Sequence, residues 1–260
     1  MFSQNPFAEV SASISPAFMQ TFVVVMAILV VAGTLYDVIH KKSLKYFVES
    51  WRASKADGRK QVSGGEVASI AVKTAVSEVL TSSEFCNPMR RIAHLLTMYG
   101  LIAHLVATVA MVFGDPGASS GLWPLLWHLG ALMVCVGGYW FWFFIRVDVA
   151  AEGNSPFRVI RADLFILSLL AVSTLALVWS AVQSAGSSWS VVFASLYLVA
   201  SAVLFGGVPW SKFAHMFFKP AAALQKHVAE ANGSMDNLPP ESKAPKQFGL
   251  GIKRSLPRNY

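Results

Sequence analysis

The sequence predicts an all-α integral membrane protein, a five-transmembrane-helix bundle with its N-terminus outside and its C-terminus in the cytoplasm. Three observations predict it. Hydrophobic residues make up 55% of the 260-residue chain and charged residues only 13%, against roughly 25% charged in ordinary soluble domains. Five stretches are long and apolar enough to cross roughly 30 Å of hydrocarbon at about 1.5 Å per residue. The charges lie between those stretches rather than within them, with Asp37 the exception in the first.

The first span is expected over Pro16–Ile39. Residues 1–15 before it hold no Lys or Arg, so no positively charged n-region precedes the apolar run. That run also exceeds a signal-peptide core in length, and it reads as a membrane span behind an outer, periplasmic N-terminal tail. The other spans are expected over Ile92–Phe113, Leu122–Ile145, Leu164–Val182 and Trp189–Trp210, the last continuing to about Phe218. The membrane domain as a whole runs over 16–227.

Orientation follows from the basic residues. Ten of the 21 Lys and Arg fall between Lys41 and Arg91. Arg146, Arg158 and Arg161 lie in the connection after the third span, and eight run from Lys212 to Arg258. The tail and the Gly114–Gly121 and Gln183–Ser188 connections have none. Lys and Arg are retained on the cytoplasmic side, so all three basic segments belong there. The net charge of +7 is largely this topological signal together with contact to lipid headgroups. It does not indicate nucleic-acid binding, because the basic residues are split over three segments and no recognised binding motif accompanies them.

Two segments outside the spans carry information. The cytoplasmic loop 41–90 is broken by Ser63-Gly64-Gly65. Beyond it, Glu66–Leu80 reads as an amphipathic helix with Val67, Ile70, Ala71, Ala75, Val76 and Leu80 on one side. It suits the membrane surface or the docking of a cytoplasmic partner. The tail 228–260, with Pro239-Pro240 and Lys243–Lys246, reads as extended chain that could lie on a partner. Cys86 and Cys135 stand far apart with no C-x-x-C, so no iron–sulfur cluster is expected on this chain.

The histidines are the chemically informative residues. An ionisable group at membrane depth is expensive and marks function. His94 and His104 share the second span. Their ten-residue separation puts them about 15 Å apart in depth and about 80° apart in azimuth, so both can face the bundle interior. His215 matches the depth of His94, and His128 in the third span matches that of His104. Two such pairs are what two stacked b-type haems need, because haem iron takes axial imidazoles from facing helices. His40 and His227 flank spans and read as interfacial. Arg90, Arg91 and Lys212 flank the inner pair and could hold anionic haem propionates. Gly100 and Gly130 would admit either a macrocycle or a close helix crossing. Trp123 and Trp127 could wall a quinone pocket.

The segment Leu204-Phe-Gly-Gly-Val-Pro209-Trp-Ser-Lys212-Phe-Ala-His215-Met-Phe-Phe-Lys-Pro220 resembles the fifth span of the gamma subunit of respiratory nitrate reductase and of related membrane cytochromes b in sulfur-metabolising complexes. Arg91-Ile-Ala-His94, with His104 ten residues on and Tyr99-Gly100 between, resembles the second span of that family. The Cys86-Asn-Pro-Met-Arg90-Arg91 lead-in and the run after His215 look closer to the sulfur-pathway anchors, among them the membrane anchor associated with dissimilatory adenylylsulfate reductase.

This resemblance implies haem b on His94 and His215 near the cytoplasm and a second haem using His104. It also implies exchange with menaquinone or ubiquinone in a bacterial inner membrane, and a cytoplasmic partner with iron–sulfur and flavin centres. One position departs from the pattern. The family carries a histidine eighteen residues before the one matching His215, and here that position is Tyr197. His128 would then supply the second outer ligand. The competing expectation is a membrane anchor without haem, or a small transporter whose intramembrane histidines carry protons. An anchor that has lost quinone chemistry is a third.

Overall fold

The computed structural model describes residues 2–85, 87–114, 121–146, 155, 157–210 and 215–234. Two compact units account for them: one from Met1–Asp37 and Pro88–Ala214, the other from Val38–Asn87 and the described part of His215–Arg258. Every regular element among the described residues is helical.

In the first unit, four helices are long and apolar enough to cross a membrane. Helix α2 runs over Pro16–His40, α5 over Pro88–Phe113, α6 over Leu122–Trp140 with a π-helical extension Phe141–Ile145, and α7 over Leu164–Ser184. Prolines open α2 and α5, where a missing N–H costs nothing. The fifth apolar helix, α8 over Ser190–Gly206, has 17 residues, or about 26 Å. It stops short of the expected Trp210 because Pro209 cannot continue the hydrogen-bond ladder. A 3₁₀ turn over Val208–Trp210 takes the remainder.

The spans bury very different amounts of surface. On α2 only Met19, Met26, Gly33 and Asp37 are buried, a narrow stripe at near-heptad spacing. The rest of the helix is mostly apolar and half-buried or exposed, which lipid or another protein would cover. Helices α5 and α6 pack closest. A Cβ on Gly130 would lie 2.6 Å from the Gly100 carbonyl oxygen and 2.7 Å from the His104 nitrogen. The two backbones therefore touch, and glycine is required there.

Residues 1–15 were expected only as an outer tail; residues 2–15 fold back onto this bundle. Asn5 caps the short helix α1, Pro6–Glu9, and donates to the Met111 carbonyl. Gln183 donates to the Pro6 carbonyl, and Phe7 is buried. The end of the bundle near Phe113, Leu122 and Ser184 is thus closed by the N-terminal segment.

At the far end of α6, the Arg146 guanidinium stacks on Trp142 at 3.9 Å. It also pairs with Asp163 and donates to the Arg158 carbonyl. Arg146 was expected only as a topological charge. Here it ties the connection after α6 to the start of α7.

The second unit holds α3 (Ser43–Ala56), α4 (Gly64–Thr74) with a π-helical turn Ala75–Leu80, and α9 (His215–Ala231). Ser63 and Glu66 form a capping box at the start of α4. The Ser63 backbone N–H and the Lys60 ammonium hold the Glu66 carboxyl below its ordinary pKa. The buried Asn232 links the end of α9 to α3 and the following turn, donating to Ser54 and accepting through its carbonyl from the Arg59 and Lys60 amides.

The expected apolar side of this amphipathic segment holds only through Thr74. Beyond it Val76 and Leu80 are exposed while Ser77 and Glu78 are half-buried. A π turn takes more residues than an α turn and rotates every following side chain around the axis.

Candidate functional site

At the closed end of the first unit, helical geometry gathers polar side chains from four helices. His104 and Thr108 lie one turn apart on α5, Trp127 and His128 near the start of α6, Ser180 near the end of α7, and Tyr197 midway along α8. His104 is 1% exposed, and Trp127 and His128 are 0% exposed. Such burial of polar groups is tolerable only if each finds a partner.

Each does. His104 Nδ1 lies 3.0 Å from the Trp127 carbonyl oxygen, and its Nε2 lies 3.2 Å from the Tyr197 hydroxyl. His128 Nδ1 lies against the Pro124 carbonyl and Nε2 against the Ser180 hydroxyl, both at 2.6 Å. A carbonyl only accepts, so both Nδ1 atoms carry hydrogen. In a neutral imidazole both Nε2 atoms then present a lone pair, and the hydroxyls of Tyr197 and Ser180 donate to them. Trp127 Nε1 donates to Thr108 Oγ1 at 3.0 Å, and that hydroxyl donates to the His104 carbonyl at 2.7 Å.

Aromatic rings fill the space around these bonds. The Trp127 ring stacks on His104 with centroids 4.8 Å apart and meets His128 edge-on at 5.0 Å. Phe7 from α1 packs edge-to-face on Trp127 and Trp179 at 5.8 and 5.3 Å. Phe2 meets the His128 ring at 5.1 Å.

The structure therefore brings His104 and His128 into one cluster, as depth matching expects, but does not set them face to face. Bis-imidazole ligation needs two Nε2 lone pairs on one line across an open slot. Here they point at Tyr197 on α8 and Ser180 on α7, and the Trp127 ring packs against both imidazoles. The helices carrying the two histidines touch beside them at Gly100 and Gly130. As arranged, this outer pair does not fit a haem. Trp127 is spent as the wall of this cluster rather than of a quinone pocket, and Trp123 is half-buried.

The inner residues are placed differently. His94 is half-buried on α5, and Arg90 and Arg91 are half-buried in the first turn of the same helix. His215 is the first residue of α9 in the second unit; its side chain and all of Lys212 lie outside the described residues, as do Cys86 and the expected C-terminal tail from residue 235 on. The pairing of His94 with His215 is accordingly carried by sequence. The donor set itself, two imidazoles with guanidiniums beside one of them, suits haem b.

Sequence reasoning reached Tyr197 only as the position lacking the family's histidine, and missed Ser180, Thr108 and Phe7 as members of the site. Of those three, only Thr108 left a signal, four residues after His104 on the same helical face. No family model, characterised protein or solved structure matches the chain. Fold and site define an all-helical protein with several helices able to span a membrane and a hydrogen-bonded imidazole cluster buried among them.

Proposed function

We propose that this chain is the membrane anchor and electron-transfer subunit of a redox complex. It would hold haem b through His94 and His215 and pass electrons between menaquinone or ubiquinone and cytoplasmic iron–sulfur and flavin subunits, in sulfur metabolism. Its setting would be a bacterial inner membrane, with α8 and the turn after it completing a fifth span, the N-terminus outside and the C-terminus inside.

The observation that carries this reading is the first two turns of α5, where Arg90 and Arg91 precede His94. Guanidiniums one turn from an imidazole are suited to bind anions, and haem propionates are such anions. Bound haem would supply one-electron transfer. The chain's own part would be ligation by His94 and His215 and a propionate clamp at Arg90, Arg91 and Lys212. Lipid phosphate could neutralise the same guanidiniums, so the test must see haem directly.

Protein purified in detergent from cells supplied with haem is expected to show a b-type reduced-minus-oxidised spectrum, with reduction by a quinol as well as by dithionite. His94→Ala and His215→Ala should each lose it. A wild-type protein without haem would leave an anchor or transporter. A haem spectrum that dithionite develops and quinols do not would leave an anchor without quinone chemistry.

A further inference from the structure

We infer that the closed end of the first unit holds no haem, so that the chain carries a single haem at the end marked by His94. The existence of that haem rests on the proposed function. The inference itself concerns only His104, His128 and their surroundings.

Three features carry it. The first is the fate of the lone pairs. Both imidazoles present Nε2, the atom iron would take, and both are capped by a hydroxyl: Tyr197 on His104 and Ser180 on His128. The two caps come from different helices, so no single displacement frees both atoms toward one point.

The second is helix separation. Iron between two imidazoles holds the ligating helices apart by both side chains plus the macrocycle. Helices α5 and α6 instead touch through backbone, with Gly130 against both Gly100 and His104.

The third is occupancy. Trp127 stacks on His104, Trp179 lies 5.9 Å from Trp127, and Tyr197 lies 5.5 Å from Trp179. Phe7 closes this group from the N-terminal side.

Tyr197 gives the arrangement its chemical sense. Its hydroxyl donates to the Nε2 atom of His104 that iron would need and so links α5 to α8. Ser180 makes the corresponding link from α7 to His128 on α6.

The test counts haem per polypeptide by pyridine haemochrome in the wild type and in His104→Gln, His128→Gln and Tyr197→Phe. Monodispersity on gel filtration and thermal midpoint are recorded for each. The expected ratio is one in the wild type and in every variant that stays monodisperse, with lower thermal midpoints in the two histidine variants. Two haems in the wild type overturn the inference, and that count needs no variant to fold. One haem that disappears in a monodisperse His104→Gln or His128→Gln protein also overturns it. No haem in the wild type overturns the proposed function and leaves this inference standing.

Discussion

His104 and His128 on one side and His227 on the other show the same side chain in opposite settings. The first two are sealed among aromatic rings and bonded to neutral carbonyls and hydroxyls. His227, in the second unit, is about one-third exposed and sits between the carboxylates of Glu78 and Glu230. A buried imidazole without a counter-charge serves as a hydrogen-bonding connector between helices. An exposed one beside two carboxylates serves as a titratable clasp. Residue identity does not separate these roles; surroundings do.

The contrast makes substitutions unequal. The largest effect is expected for His128→Ala. It strands the Ser180 hydroxyl and the Pro124 carbonyl in a fully buried site and opens a cavity, costing about 4 kcal/mol. A thermal midpoint in detergent within error of the wild type would show that the cluster is not what holds the closed end.

Gly130→Ala comes next. The added methyl meets backbone that cannot yield, so α5 and α6 must separate at a cost of about 3 kcal/mol. The same melt would measure it, and Leu129→Ala, on the exposed face of α6, is the matched control. Tyr197→Phe removes one hydroxyl and leaves the His104 lone pair unmatched, for about 1 kcal/mol.

The smallest effect belongs to His227, and it alone should depend on pH. Hydrogen bonds to the Glu78 and then the Glu230 carboxylate hold its pKa above the ordinary value of 6.5. A folded-state pKa above the unfolded one contributes stability that is complete below about pH 6.5 and fades as pH rises through the higher folded value. Solvent screening keeps the contribution to about 0.5 kcal/mol. Amide exchange over α9 and residues 75–80 should speed up across that window in the wild type. In His227→Gln it should show no such change beyond the intrinsic pH dependence of exchange.

Much of the architecture was legible in the sequence. Four spans begin and end within a few residues of where apolar runs and flanking charges put them, because length and hydropathy decide membrane spans locally. The fifth helix came out shorter because Pro209 overrode hydropathy. The site was less legible. Histidine depths along α5 and α6 are set by rise per residue and could be matched from sequence. The direction of each imidazole depends on how neighbouring helices rotate and cross. Gly100 and Gly130 left the choice between a macrocycle and a close helix crossing open, and only packing decides it; the cap from Ser180 is a tertiary outcome with no one-dimensional signature. The N-terminal residues carried too little apolar periodicity to announce that Phe7 would be buried.

The most direct test of the central claim, one electron-carrying haem opposite a haem-free closed end, is a potentiometric titration of the purified wild-type protein followed at the haem absorbance. The account predicts a single component with a one-electron Nernst slope, abolished in His215→Ala and unchanged in amplitude in Tyr197→Phe. Two resolved components, or a titration that survives His215→Ala, would contradict it.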